Sequence, residues 1–346
     1  MLRPRLGAAV RDTDPGYFAL VMATCIVSVA MQLDGMAWLS GILLAAGIGA
    51  YIVLVAVYAW RLASYRAEIR ADAADPRRAF GFFSVAAASD VLAARLAGDA
   101  HTAMAAVLLV IGGVSWVLLS YTLPVLLAGS GIGRPAILRG ANGTWFLWPV
   151  ATQSVVVGLT SLPSPVPAGA ADLAVACWSV GVILYLLVAV LVTAALLAFP
   201  VRPSELTPAY WVFMGASAIC VLAGAQITRL PPSPLPDAAH AVVTGFSVIL
   251  WAFGTWLIPL LVIAGIWRHV VHQVPLAYEP GMWGFVFPVG MYGVASRELG
   301  TALHVSWLVT LGRDEAWAAL AAWIAVMLAM AGTLGRSRRD TLSPTI

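Results

Sequence analysis

Long apolar runs alternate with short polar stretches along almost the whole chain. A helix that crosses a bilayer needs about 20 mostly apolar residues. Ten runs meet that length, at about 16–33, 37–60, 80–97, 102–127, 144–161, 172–199, 209–227, 240–266, 282–304 and 314–335. They are of two kinds. The sixth, LAVACWSVGVILYLLVAVLVTAALLAF, is uniformly apolar and suits contact with lipid. The odd-numbered runs are shorter and mixed. The third holds Ser84, Ser89, Asp90 and Arg95; the fifth holds Thr144, Pro149, Thr152, Gln153 and Ser154; the ninth holds Gly284, Pro288, Ser296, Arg297 and Glu298. Polar groups in a membrane helix turn toward the bundle interior or a wet cavity. The pattern therefore predicts an all-α integral membrane protein, one transmembrane domain over 1–346. Five odd helices form an inner ring about a central path, and five even helices lie outside them.

A repeat supports the same arrangement. PGYF opens the first run at Pro15, FGFF the third at Phe80, GTWF the fifth at Gly143, PAYW the seventh at Pro208 and PGMW the ninth at Pro280. The aromatic anchors Tyr17, Phe82, Trp145, Tyr210 and Trp283 are 65, 63, 65 and 73 residues apart. A fixed period points to one unit used several times, here a helical hairpin of two spans.

Composition sharpens the picture. Mean hydropathy is +0.92, and only 10 % of residues are charged, where a soluble domain carries about 25 %. The lipid bilayer is the expected solvent. The net charge of +3 gives no reason to expect a nucleic-acid partner. All nineteen basic residues are Arg. With ten spans, fifteen of them fall on the side of the two termini: Arg3, Arg5, Arg11, Arg61, Arg66, Arg70, Arg77, Arg78, Arg134, Arg139, Arg202, Arg268, Arg336, Arg338 and Arg339. Arg95, Arg229, Arg297 and Arg313 fall on the other. The positive-inside rule then predicts cytoplasmic termini in a multi-pass protein of the cell membrane. Basic residues precede the first run, but no cleavage signal adjoins it, so it reads as a span. Cys25, Cys177 and Cys220 lie far apart in apolar runs and read as buried hydrophobes. The five histidines are dispersed, and the chain has no HxxxH pair, Walker loop or nucleophile elbow. No cofactor, metal site or enzymatic chemistry is expected.

Several stretches resemble the tellurite-resistance/dicarboxylate transporter family: DPGYFALVMAT at 14–24, the segment from Val57 to Val85, NGTWFLWPVATQSVVV at 142–157, TPAYWVFMGASAI at 207–219, WAFGTWLIPLLVIAGIWRH at 251–269 and MWGFVFPVGMYGVAS at 282–296. That family includes the bacterial protein TehA, plant guard-cell slow anion channels, fungal malate permeases and fungal sulfite exporters. The resemblance implies five hairpins around a quasi-fivefold pore, a homotrimer with one pore per protomer, and passage of small inorganic or organic anions. It also implies proline-kinked inner helices and a phenylalanine plug on the ninth helix.

Phe287, directly before Pro288, best matches the plug. Phe285, on roughly the opposite face of the helix, is the alternative, and packing against a neighbouring helix is the competing role for either ring. Pro288 and Pro149 are candidate kinks, because proline removes a helical hydrogen bond. Thr144, Thr152, Gln153 and Ser154 are candidate pore-lining donors, or hydrogen bonds between helices. Asp90 is either an ion-pair partner of Arg95 or Arg297, or a carboxylate that couples protons to transport. Arg95 and Arg297 either draw anions electrostatically or snorkel at helix ends. The arginine-rich stretch at 61–78 reads as a solvated segment facing lipid headgroups. The expected function is an anion channel or anion-selective secondary transporter, with a proton-coupled dicarboxylate or sulfite carrier as the alternative.

Overall fold

The computed structural model describes residues 2–163, 169–230 and 237–342, and every regular element among them is helical. Of the fifteen arginines assigned to the side of the termini, the side chains of Arg3, Arg5, Arg336, Arg338 and Arg339 lie outside the described residues. Thirteen α-helices follow one another: α1 (Leu2–Arg11), α2 (Ala19–Leu33), α3 (Ala37–Ser64), α4 (Arg66–Ala74), α5 (Phe83–Gly98), α6 (Thr102–Gly129), α7 (Arg134–Arg139), α8 (Leu147–Thr160), α9 (Ala170–Ala198), α10 (Val212–Ile227), α11 (Asp237–Ile266), α12 (Trp283–Leu303) and α13 (Ser306–Leu342).

Seven helical segments are long and apolar enough to cross a membrane, among them α3, α6, α9, α11 and most of α13. The other two are α5 and α10 together with the 3₁₀ turns that lead into them. The helices α2 and α8, of 15 and 14 residues, fall short of that length. α12 has the length, but Arg297, Glu298 and its glycines dilute its apolar run.

Two populations of helix differ in what surrounds them. The most apolar stretches of α5 and α10, with their leading turns, are 89 % and 83 % buried, against 17–39 % for α3, α6, α9, α11 and α13. The shorter helices occupy the interior. Their contacts close a cycle: α2 packs on α5, α5 on α8, α8 on α10, α10 on α12, and α12 on α2. Each also packs on the long helix that follows it. Four of these connections hold a residue in the left-handed region, Gly35 (φ 78°), Ala100 (φ 62°), Gly169 (φ 78°) and His304 (φ 59°).

The repeated sequence signature has a structural meaning. A 3₁₀ turn leads into α5 (Ala79–Phe82), α8 (Gly143–Phe146), α10 (Pro208–Trp211) and α12 (Pro280–Met282). Consecutive turns pack side by side, and close backbone approach selects their small residues. A Cβ on Gly81 would stand 2.9 Å from the Gly16 nitrogen, and one on Gly143 would overlap the Ala209 carbonyl. The aromatic anchors tie the turns down. The Trp145 indole donates to the Pro76 carbonyl at 2.7 Å, and the Trp283 indole donates to the Tyr278 hydroxyl at 3.1 Å. Tyr278 in turn shares a hydrogen bond with Tyr17 at 2.9 Å. Burial, and then the Tyr17 hydroxyl, push the Tyr278 phenol above its ordinary range.

The 61–78 stretch is only in part the solvated segment expected: Arg66, Arg70 and Arg77 are exposed, but one end of it is buried. It folds into α4, and Arg61 is only 2 % exposed. Asp72 bridges the buried Arg61 at 2.6 Å and the half-exposed Arg78 at 2.7 Å, and an unpaired Arg61 would be costly to bury. Pro149 also sits differently from a mid-helix kink. It is the third residue of α8, inside the first turn, where helical N–H groups have no intrahelical acceptor. Pro288 does lie inside α12. Gly215 of α10 approaches it so closely that a Cβ there would come within 2.7 Å of the proline ring.

Candidate functional site

A cavity of about 160 Å³ lies inside the cycle of short helices and takes its wall from all five of them. α2 contributes Ile26, Val29, Gln32 and Leu33; α5 contributes Val91, Ala94 and Arg95; α8 and the residue after it contribute Val157 and Ser161. α10 contributes Leu222 and Gln226, and α12 contributes Met291, Val294 and Glu298. The wall is apolar at the level of Ile26, Leu222 and Met291. It becomes polar one to two turns further on, at Gln32, Ser161, Gln226 and Glu298.

The spacing of the α12 residues fixes one stripe of that helix toward the axis. Met291, Val294 and Glu298 are three and four residues apart, the repeat of a single helix face. One turn before Met291, on the same stripe, is Phe287, which is 1 % exposed. At the same place in the repeat, seven residues after its first residue, the other four helices carry Met22, Ala87, Val150 and Gly215, all buried. Three of those four are small, so at this level the benzyl ring is the bulkiest group. Phe285 lies elsewhere. It meets Trp211 edge to face at a centroid distance of 4.7 Å, and it lines a separate apolar groove between α11 and α13.

The polar residues expected to line a path are spent between helices. The Thr144 hydroxyl donates to the side chain of Asn142, the cap of its own turn, at 2.7 Å. Thr152 accepts from the Trp116 indole of α6 at 2.9 Å, and Gln153 donates to the Trp178 carbonyl of α9 at 3.0 Å. Ser154 donates to Asp90 of α5 at 2.8 Å. α8 presents Val157 and Ser161 to the cavity instead. The repeat carried a signal for the polar rim: Ser161 and Gln226 both stand sixteen residues after their anchors, Trp145 and Tyr210.

The charged groups also pair differently from the expectation. Asp90 has neither Arg95 nor Arg297 as a partner. It is fully buried, bonds only Ser154, and leaves Oδ1 unpartnered. α6 comes so close at Gly112 that a Cβ there would overlap the carboxyl group. Asp90 is thus directed into the wall between α5, α6 and α8. Arg95 points back to α2 and α3. Its Nε donates to Ser28 and its Nη2 to Ser40, each at 2.9 Å, and its Nη1 stands 2.8 Å from Asp99. Arg297 holds Asp34 and donates to the Leu33 carbonyl at 2.6 Å. Arg229 holds Glu298. Neither Arg95 nor Arg297 is a bare cation at the mouth, because each has a carboxylate within contact.

The five short helices thus share one small cavity, and Phe287 stands one turn before its α12 lining. A family model described as voltage-dependent anion channel, SLAC1, matches residues 12–331. The chain belongs to the SLAC1 family of anion channels. A SLAC1-family protein is a membrane protein of anion transport, and its relatives are channels and transporters, not enzymes. One relative is an uncharacterized membrane protein of Mycobacterium tuberculosis, 51 % identical over 162 residues, which is 46 % of this chain and 82 % of that protein. An uncharacterized transporter of Methanocaldococcus jannaschii is 23 % identical over 334 residues, 92 % of each chain. A second transporter of that organism is 32 % identical over 123 residues, about a third of each chain.

Proposed function

We propose that this SLAC1-family protein carries small inorganic or organic anions along the axis of the inner helices, and that Phe287 closes the path in the present conformation. In this reading ten helices cross the membrane as five hairpins around a quasi-fivefold pore. Arginine placement puts both termini in the cytoplasm, and the protein works in the cell membrane as a homotrimer with one path per protomer. The observation that carries the reading is the cavity with a wall from all five short helices, which ends one turn from Phe287. An apolar constriction excludes ions by dewetting, and one ring shifting between rotamers would let water and ions through. Pro288, with no N–H to give, loosens α12 directly after that ring.

The small cavity and its mostly uncharged wall favour weak binding, which suits conduction because a bound ion must also leave. Flux of chloride, nitrate, sulfite, malate and tellurite into proteoliposomes tests the substrate class. Saturable or conductive uptake of at least one of these anions, with no uptake of potassium, is the expected result. Cation flux without anion flux would overturn the reading.

Asp90 supports a second reading, a proton-coupled dicarboxylate or sulfite carrier, since it is a buried acid with no cation beside it. Asp90→Asn separates the two. The amide fills the same shape and still accepts from Ser154. The channel reading expects anion flux to persist in the variant, whereas the carrier reading expects flux driven by a pH gradient to vanish.

A further inference from the structure

A cavity of about 580 Å³ lies away from the axis. It opens at the end of the bundle where α7 and the last turn of α9 meet the 3₁₀ turns leading into α8 and α10. Arg77, Arg139 and Arg202 line it, with Glu205 as the single acid and Tyr210, Thr207 and Ser204 as hydroxyl donors. Counting side chains, three arginines against one glutamate leave a charge of +2.

The glutamate is already committed. Glu205 accepts from the Arg202 main-chain nitrogen at 3.1 Å and reaches Arg77 only at 3.5 Å. The guanidinium groups of Arg139 and Arg202 have no carboxylate partner among the described residues. Arg139 rests instead over the Phe199 ring, 4.9 Å from its centroid, which holds the cation in place while leaving its donors free. Elsewhere the partly or fully buried arginines Arg61, Arg78, Arg95, Arg268 and Arg297 each meet an acid, whereas among the described residues Arg66, Arg70, Arg134 and Arg313, which line no such cavity, are exposed without one. The floor is fixed as well. Asn142 donates to the Arg77 carbonyl at 3.1 Å, so the arginine backbone is anchored to the turn before α8.

We propose that this cavity binds a phosphate-bearing anion, held by Arg139, Arg202 and Arg77. Guanidinium forks match phosphate oxygens two at a time, and three arginines lining one cavity suit more charge than a halide brings. The same chemistry is offered by a soluble phosphate compound and by the headgroup of an anionic lipid, since α9 brings its lipid-facing end to the rim. The site is distinct from the axial cavity and does not depend on which residue closes the path. Tyr210 and Thr207, at the foot of α10, place the occupant against the base of an inner helix.

The test uses the full chain and two probes. Pyrophosphate is titrated calorimetrically into detergent-purified, delipidated protein. In parallel, native mass spectrometry measures retention of phosphatidylglycerol against phosphatidylcholine from mixed nanodiscs. The double variant Arg139→Gln/Arg202→Gln is compared with Arg66→Gln/Arg70→Gln, whose arginines lie on α4. Both pairs are exposed, and thermal unfolding checks each fold; Arg202→Gln alone serves if the double variant does not fold. The site is supported if the first pair weakens pyrophosphate binding or phosphatidylglycerol retention about tenfold while the second leaves it unchanged. Loss in the pyrophosphate arm assigns a soluble ligand, and loss confined to the lipid arm assigns a headgroup. Binding that is absent in both arms, or that falls equally in both variant pairs, overturns the proposal.

Discussion

The inner and outer helices solve the same problem in opposite ways. The outer helix α6 has apolar side chains along nearly its whole length, and most of them face outward. Its neighbour α5 is shorter and carries Ser84, Ser89, Asp90 and Arg95, all buried. Lipid asks only that an outer helix be long and apolar. An inner helix must satisfy four or more protein neighbours at once, so its residues are chosen by contact and not by hydropathy. Tolerance to substitution should therefore differ sharply between the two sets.

The largest effect is expected where inner backbones touch. Gly143→Ala places a methyl group on the Ala209 carbonyl, and neither backbone can retreat without opening the joint between the α8 and α10 turns. A loss above about 3 kcal/mol is expected, beyond the usual cost of overpacking because the clash is with backbone. The readout is yield of monodisperse protein and its melting temperature. The matching change on an outer helix is Gly113→Ala, where a Cβ would meet nothing within 4 Å. There the gain in helix propensity should leave stability unchanged or raise it by about 1 kcal/mol. Equal damage at both sites would erase the distinction between the two sets of helices.

Next in size is Arg297→Ala. It strips the partner from Asp34, which is almost completely buried and has one oxygen already without a hydrogen bond. Breaking such a pair costs about 3 kcal/mol or more, mainly through the stranded charge. Asp34→Asn made together with Arg297→Ala should recover part of that loss in a thermal melt. Recovery of nothing would place the role of Arg297 in its bond to the Leu33 carbonyl. Smallest is Asp90→Asn, for which a change below about 1 kcal/mol is expected, since the amide keeps the bond from Ser154 and removes no cation.

Much of the helix plan was legible in the sequence. The expected limits 102–127 and 172–199 correspond to α6 and α9 within two residues. Hydropathy suffices there because lipid imposes a single requirement. The repeat marked the turns that begin the inner helices, since close packing there forces small residues beside aromatic ones. The start of α13 was missed by eight residues. The tenth run was expected from 314, after Arg313, but the helix already begins at Ser306 and packs on α12 through Gly312.

The candidate site was harder to read. Sequence spacing shows which residues share a stripe of a helix, but not which stripe turns inward. A rotation of about 100° per residue separates Ser154, which turns to Asp90, from its neighbours. The same rotation takes Thr152 to Trp116 and Gln153 to Trp178. Ion-pair partners were equally hidden. Arg95 and Asp99, the residue that ends α5, are four apart and could have been paired by spacing alone. Arg297 and Asp34 are 263 residues apart in the chain, and only the closure of α12 on α2 brings them together.

The account turns on Phe287, and single-channel recording in planar bilayers tests it most directly. Phe287→Ala should raise anion conductance about tenfold or more over the parent protein, while Phe285→Ala, which loses its contact with Trp211, should leave conductance near the parent level. A folded Phe287→Ala protein that conducts no better than the parent, or a rise confined to Phe285→Ala, would contradict it.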